Sequence, residues 1–181
     1  MTTDISPRVT RGVTRIVAAA KESAGSIAQA STELKNAALA AVAEALEANV
    51  EDILAANAED IETARKRETP ETLIDRLTLT EERVLGIAAA VREVIGLPDP
   101  VGVIHSGRTM PNGMRVSQET VPMGVIGAIY EARPNVTVDI ASLALKSGNA
   151  VVLRGGSAAR SSNTLLISLL RSAIARVGLP E

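Results

Sequence analysis

The sequence predicts an α/β protein, and three observations carry that prediction. Glycine and proline are unevenly spread, the first half repeats its apolar residues at helical spacing, and the second half holds two consecutively apolar runs one helix length apart. Of the 13 Gly residues, three lie before position 96 and ten from 96 onward, while five of the eight Pro fall between Pro98 and Pro134. The break divides the chain into a helical region over 1–97, an antiparallel ribbon over 98–121, and a partial doubly wound, Rossmann-like βαβα unit over 122–181. A length of 181 residues suits one domain with a real core.

In the first region Ser31 or Thr32 is placed to cap a helix whose apolar face is Leu34, Ala37, Ala38, Ala41, Ala45 and Ala48. Shorter helical pieces are expected over 50–67, interrupted near Asn57, and over 71–76. A further helix begins at Thr80, with Glu81 and Glu82 in the first turn against the positive end of the dipole. Its buried stripe is Val84, Ile87, Ala88, Val91 and Ile95, and Gly96 and Pro98 stop it.

Beyond the break the period changes. Val101 to Ile104 reads as a short strand, Pro111-Asn112-Gly113 as a turn, and Met114 to Val121 as an alternating strand, together an exposed ribbon. Val125 to Tyr130 is apolar on consecutive residues, as a parallel strand buried on both faces would be. A helix follows, entered at Pro134, lined by Ile140, Leu143 and Ala144 and capped by Gly148. Ala150 to Leu153 is a second buried strand, Gly155-Gly156-Ser157 a tight turn, and Ser161 or Ser162 to Val177 a second helix. A right-handed crossover joins the two parallel strands. The chain stops at Leu179-Pro180-Glu181, where the next strand of such a sheet is expected, and so reads as the front portion of a longer protein.

Composition excludes several classes. No stretch approaches the roughly 18 apolar residues of a membrane span, and Met1 to Gly12 lacks a secretory apolar run, which leaves the cytoplasm as the expected compartment. With no Cys there is no disulfide, no thiolate metal site and no cysteine nucleophile in these residues. One Tyr and no Phe or Trp leave almost nothing for stacking on nucleobases, so no nucleic-acid partner is expected. Residues 1–100 carry 11 basic and 17 acidic side chains and residues 101–181 carry 8 and 4, so the second half suits a small anionic ligand.

Two loops at carboxyl strand ends hold the candidate chemistry, because ligands of open α/β sheets bind there. Leu153-Arg154-Gly155-Gly156-Ser157 is either a site where two glycines let backbone approach a ligand or a sharp turn with an exposed Arg. It lacks the GxGxxG dinucleotide fingerprint. Tyr130 to Thr137 offers Arg133 for a phosphate or carboxylate and Asn135 for an oxyanion; the competing reading is helix capping by Asn135 beside a solvated Arg133. His105 reads as a ribbon-surface residue, and Arg65-Lys66-Arg67 as a solvated helix end.

Val121-Pro122-Met123-Gly124-Val125-Ile126-Gly127 and the run YEARPNVTVDIASLALKSGNAVVLRGGS from Tyr130 to Ser157 resemble the gamma-glutamyl phosphate reductase (glutamate-5-semialdehyde dehydrogenase) family, the proline-biosynthetic branch of the aldehyde dehydrogenase superfamily. Asn57, Asp75-Arg76-Leu77, Asp99-Pro100-Val101-Gly102 and Pro111-Asn112-Gly113-Met114 extend the likeness to the amino-terminal portion of that family. The resemblance implies NADPH-dependent reduction of L-glutamate 5-phosphate to glutamate 5-semialdehyde and phosphate, through a Cys held in a downstream catalytic domain that this chain lacks. The chain alone is therefore expected to be inactive. It further implies that Arg154, with Gly155, Gly156 and Ser157, lies at the adenosine ribose and 2'-phosphate of NADP, that Asn135 stabilises an oxyanion, and that Arg133 meets the anionic substrate. The ribbon resembles an arm used in oligomer contacts, so a homo-oligomer is expected of the full-length protein. The rival expectation is a shortened relative that acts as a non-catalytic association module.

Overall fold

The computed structural model describes residues 7–181, with side chains from Gly12 onward. Residues 1–6, part of the stretch in which no secretory run is expected, lie outside it. Five helices come first: α1 (Pro7–Ala28), α2 (Thr32–Ala48), α3 (Val50–Lys66), α4 (Glu71–Leu77) and α5 (Glu81–Gly96). Then come β1 (Ile104–Thr109), β2 (Arg115–Glu119), β3 (Val125–Ile129), α6 (Pro134–Lys146), β4 (Ala150–Arg154) and, after a 3₁₀ turn at Ser157–Ala159, α7 (Arg160–Arg176). β1 and β2 form an antiparallel ribbon, and β3 and β4 a separate parallel pair in which Val125 faces Ala150 and Ile129 faces Arg154.

The core is aliphatic and close-packed because its helices meet through small residues. Ala38, Leu39, Ala43 and Leu46 of α2 are fully buried against α5 and α7, together with Ala88 of α5 and Ala173 of α7. α1 and α6 both pack against β4, so helices rather than strands hold the parallel pair. Ser31 caps α2 through the Leu34 amide and Thr80 caps α5 through the Arg83 amide, as the sequence predicts.

Five local expectations need correction. The buried face of α2 is Lys35, Ala38, Leu39, Val42, Ala43, Ala45 and Leu46, with Ala37 and Ala48 exposed. In so Ala-rich a helix the bulk of Leu39, Val42 and Leu46 sets the inward direction. α3 runs unbroken through Asn57, whose amide is satisfied by long-range partners and leaves the helical backbone intact. β1 starts at Ile104, because Gly102 takes φ 80° and turns the chain there. Leu143 is exposed; α6 turns Val138, Ser142 and Leu145 inward instead. β3 is not covered on both faces: Ile129 is 88% exposed, since β4 is the only strand beside it among the described residues.

Buried polar groups pin the helices to one another. Lys35, 1% exposed, sits 2.5 Å from Asp99. Burial raises the Asp99 pKa, but hydrogen bonds from Lys35, Thr32 and the Val101 amide outweigh it and hold the carboxyl below its ordinary range. Lys146 Nζ donates to Asn36 Oδ1 at 2.7 Å and to the Ile95 carbonyl at 2.9 Å, tying the end of α6 to α2 and α5.

A third network fixes the start of α7. Asp60 on α3 accepts from the Ser161 amide at 3.0 Å, from the Ser162 amide at 2.8 Å and from the Ser162 hydroxyl at 2.8 Å. Beside it Asn57 donates to the Leu77 carbonyl and to Ser162 Oγ and accepts from the Leu79 amide. Asp60→Ala strands these donors in a buried site. It is expected to destabilise the chain by about 2–3 kcal/mol, read as a lower urea midpoint at unchanged m-value.

Candidate functional site

The loops after β3 and β4 lie side by side, as their common strand direction requires. The Tyr130 amide donates to the Arg154 carbonyl at 3.1 Å, carrying the pairing one residue past the strand. A Cβ on Gly156 would stand 2.7 Å from the Ala132 nitrogen, and one on Gly155 would stand 2.4 Å from Asn163 Nδ2 and 3.1 Å from the Tyr130 ring. The two glycines thus serve the approach of one loop to the other and to α7. Behind them Thr137, fully buried, donates to Asn163 Oδ1 at 2.8 Å and so accepts from the Tyr130 hydroxyl at 2.7 Å.

Two open clefts flank this junction. One, of about 610 Å³, lies along α7 and is lined by Tyr130, Leu153, Gly155, Asn163, Ile167 and Arg171. The other, of about 520 Å³, lies between α4, α5 and the start of α6, and its lining includes Asp75, Arg76, Arg83, Arg133, Asn135 and Asp139.

The structure therefore splits the residues singled out in the sequence. Arg154 is exposed, directly opposite the exposed Ile129, and its guanidinium donates to the Gly155 carbonyl. Ser157 is exposed at the start of the 3₁₀ turn. Arg133 and Asn135 instead face the α4–α5 cleft. Asn135 does not cap α6: Arg133 occupies the cap position without a side-chain cap bond, and the Asn135 amide donates to Asp139 Oδ2 at 3.2 Å. Arg133 Nε is buried with no hydrogen-bond partner, and the nearest carboxylate oxygen, on Glu131, is 3.6 Å away. His105 sits on the exposed ribbon with Nε2 at 2.9 Å from the Thr120 hydroxyl, and Lys66 pairs with Glu62 at an exposed helix end. Among the described residues no acidic or His cluster could hold a metal ion, and no helix is long and apolar enough to cross a membrane.

Sequence reasoning missed Asp139 and the Tyr130–Thr137–Asn163 chain. For Asp139 a signal was available, since a carboxylate four residues after Asn135 shares its helical face. Burial pushes the Asp139 carboxyl above its ordinary range, and the Asn135 hydrogen bond only partly opposes this. A carboxyl whose folded pKa is raised binds its proton more tightly when folded. Its penalty is absent below the unfolded pKa and grows as pH rises through the folded value. Asp139→Asn should therefore raise the melting temperature at pH 7 and leave it nearly unchanged at pH 3, as thermal melts across that range would show. Gly156→Ala drives a methyl into the Ala132 backbone, which cannot yield as a side-chain tip would, and should cost about 1–3 kcal/mol by chemical denaturation.

No protein-family model matches the chain. Among curated proteins it is 55% identical over 172 residues to the gamma-glutamyl phosphate reductase of Kineococcus radiotolerans, covering 95% of this chain and 40% of that protein. The crystal structure of gamma-glutamyl phosphate reductase from Thermotoga maritima superposes with a TM-score of 0.88 at 42% identity, over 90% of this chain and 39% of that one. A probable aldehyde dehydrogenase from Listeria monocytogenes, at 14% identity and TM-score 0.72 over 96% of this chain and 36% of that one, shares the fold. The chain spans about two-fifths of the length of the curated relatives it matches. Its fold is that of aldehyde dehydrogenases, and along nearly all of its length it is similar to gamma-glutamyl phosphate reductases, consistent with their amino-terminal portion.

Proposed function

We propose that the chain supplies the first half of the NADP site, and a share of the substrate site, of a reductase that converts L-glutamate 5-phosphate to glutamate 5-semialdehyde and phosphate in proline biosynthesis. One observation carries the cofactor assignment. At the carboxyl end of the parallel pair, an exposed apolar side chain, Ile129, stands opposite an exposed guanidinium, Arg154. The first suits a flat adenosine and the second a phosphate, which a planar fork can bind in two places. Ser157 and the Gly155–Gly156 turn border the same edge.

When bound, NADPH supplies the hydride. The residues of this chain bind and orient: Arg154 receives the cofactor's phosphate, and Arg133 the anionic substrate. Asn135 is the candidate donor to an oxyanion; its amide carries a second hydrogen beyond the one given to Asp139. The thiol that the resemblance calls for is not among these 181 residues, so the part played here is binding and positioning. The ribbon, exposed along both strands, serves contacts between copies in the complete enzyme.

A second reading, a non-catalytic association module, draws on that ribbon and on Met123, which is 86% exposed. Association with a full-length reductase without any cofactor binding would favour it.

Titrating NADPH and NADH into the chain separates the possibilities. Arg154→Ala should weaken NADPH binding by about 1.5–3 kcal/mol, one to two orders of magnitude, and leave NADH binding nearly unchanged because NADH lacks the 2'-phosphate. Equal losses for both cofactors would remove Arg154 from the phosphate site.

A further inference from the structure

The cleft between α4, α5 and α6 holds charges of both signs, and most of them are already paired within the protein. Arg83 bonds to Asp75 and to the Asp75 and Thr78 carbonyls, and Arg76 lies 3.9 Å from Glu131. Two groups are left with unmet demand. Arg133 has a buried Nε without a hydrogen-bond partner, its ion pair being a 3.6 Å approach to the exposed Glu131 that Arg76 shares. Asp139, partly buried, accepts from Asn135 alone, and no cation among the described residues lies within ion-pair distance of it. The two line one cleft without pairing with each other. They are six positions apart, about 9 Å along the helix, a span that a long Arg side chain can narrow.

We propose that this cleft receives the amino-acid head of the substrate, with Asp139 facing the α-ammonium and Arg133 the α-carboxylate. Asn135 holds the Asp139 carboxylate in position. The assignment rests on the glutamyl substrate argued above and adds to it the residue that reads the amino group. A group carrying only negative charge is a poor occupant, because Asp139 repels it; the phosphate end of the substrate therefore points away from this cleft. A zwitterion gives the Arg133 Nε the hydrogen-bond partner it lacks and Asp139 the cation it lacks. The cost that burial places on the Asp139 carboxylate is what a site kept for a cationic ligand would carry.

The test is a titration of the isotopically labelled chain with L-glutamate, glutarate and 4-aminobutyrate, read from backbone amide shifts. L-glutamate should move amides over 75–87 and 133–139. Asp139→Asn, which conserves shape, should weaken L-glutamate and 4-aminobutyrate by about ten- to a hundredfold while glutarate, which has no amino group and is repelled by the Asp139 carboxylate, binds at least as well as before. Retained or stronger glutarate binding also shows that the variant is folded. Asn135→Ala keeps the charge and should cost about threefold. Equal effects on all three ligands, no effect of Asp139→Asn, or shifts confined to other surfaces would overturn the assignment. Arg154-dependent NADPH binding with no response to L-glutamate would overturn it and leave the cofactor reading standing; failure of both titrations would overturn both.

Discussion

The amino end of α7 is capped by a carboxylate from a helix about a hundred residues earlier in the chain, and the site geometry depends on that contact. A helix start carries free amides and a partial positive charge, and Asp60 answers both in one buried position. Because α7 follows β4 through only the 3₁₀ turn, fixing its first turn also fixes where the β4 loop ends. Ala159 of that turn is fully buried in a small cluster with Ala64, Ile74 and Leu77, against which Ala132 of the neighbouring loop packs. The helical first half is thus the platform that sets the separation of the two candidate loops.

That separation is small, which explains the residue types found there. Gly156 admits the Ala132 backbone and Gly155 admits Asn163 and Tyr130, so neither position tolerates a side chain without displacing a neighbour. The Tyr130–Thr137–Asn163 hydrogen bonds then join the β3 loop, α6 and α7 into one unit. Through this unit the loop bearing Arg133 and the loop bearing Arg154 are coupled, although Arg133 lines the α4–α5 cleft and Arg154 is exposed beside Ile129.

Much of the fold was legible in the sequence, and the failures share a cause. Caps at Ser31 and Thr80, the Pro134 entry and the strand–helix–strand order are local signals, and each appears in the structure. What local patterns could not give was the inward direction of α2, where Ala is nearly uniform, or the continuity of α3 through Asn57, whose partners at Leu77, Leu79 and Ser162 lie far along the chain. The same holds for the site. The position of Arg154 at a carboxyl strand end follows from strand order, whereas its register opposite an exposed Ile129 and the turn of Arg133 and Asn135 toward α5 depend on how the strands and α6 pack.

The uneven charge of the chain takes on meaning once the fold is known. The acidic excess of the first half is spread mostly over exposed helical faces, while Arg133 and Arg154 stand at strand ends where backbone amides and a helix start add further positive potential. A site built only of such groups would attract any small anion and distinguish few. Asp139 breaks that uniformity within the α5 cleft, at a cost to folding that burial imposes. Placing one uncompensated carboxylate among cations converts an anion trap into a surface that can tell a zwitterion from a simple dianion. Discrimination of that kind needs the negative group to stay unpaired in the free protein, and Asn135, which can donate a hydrogen bond but carries no charge, meets that requirement where a Lys or Arg would not.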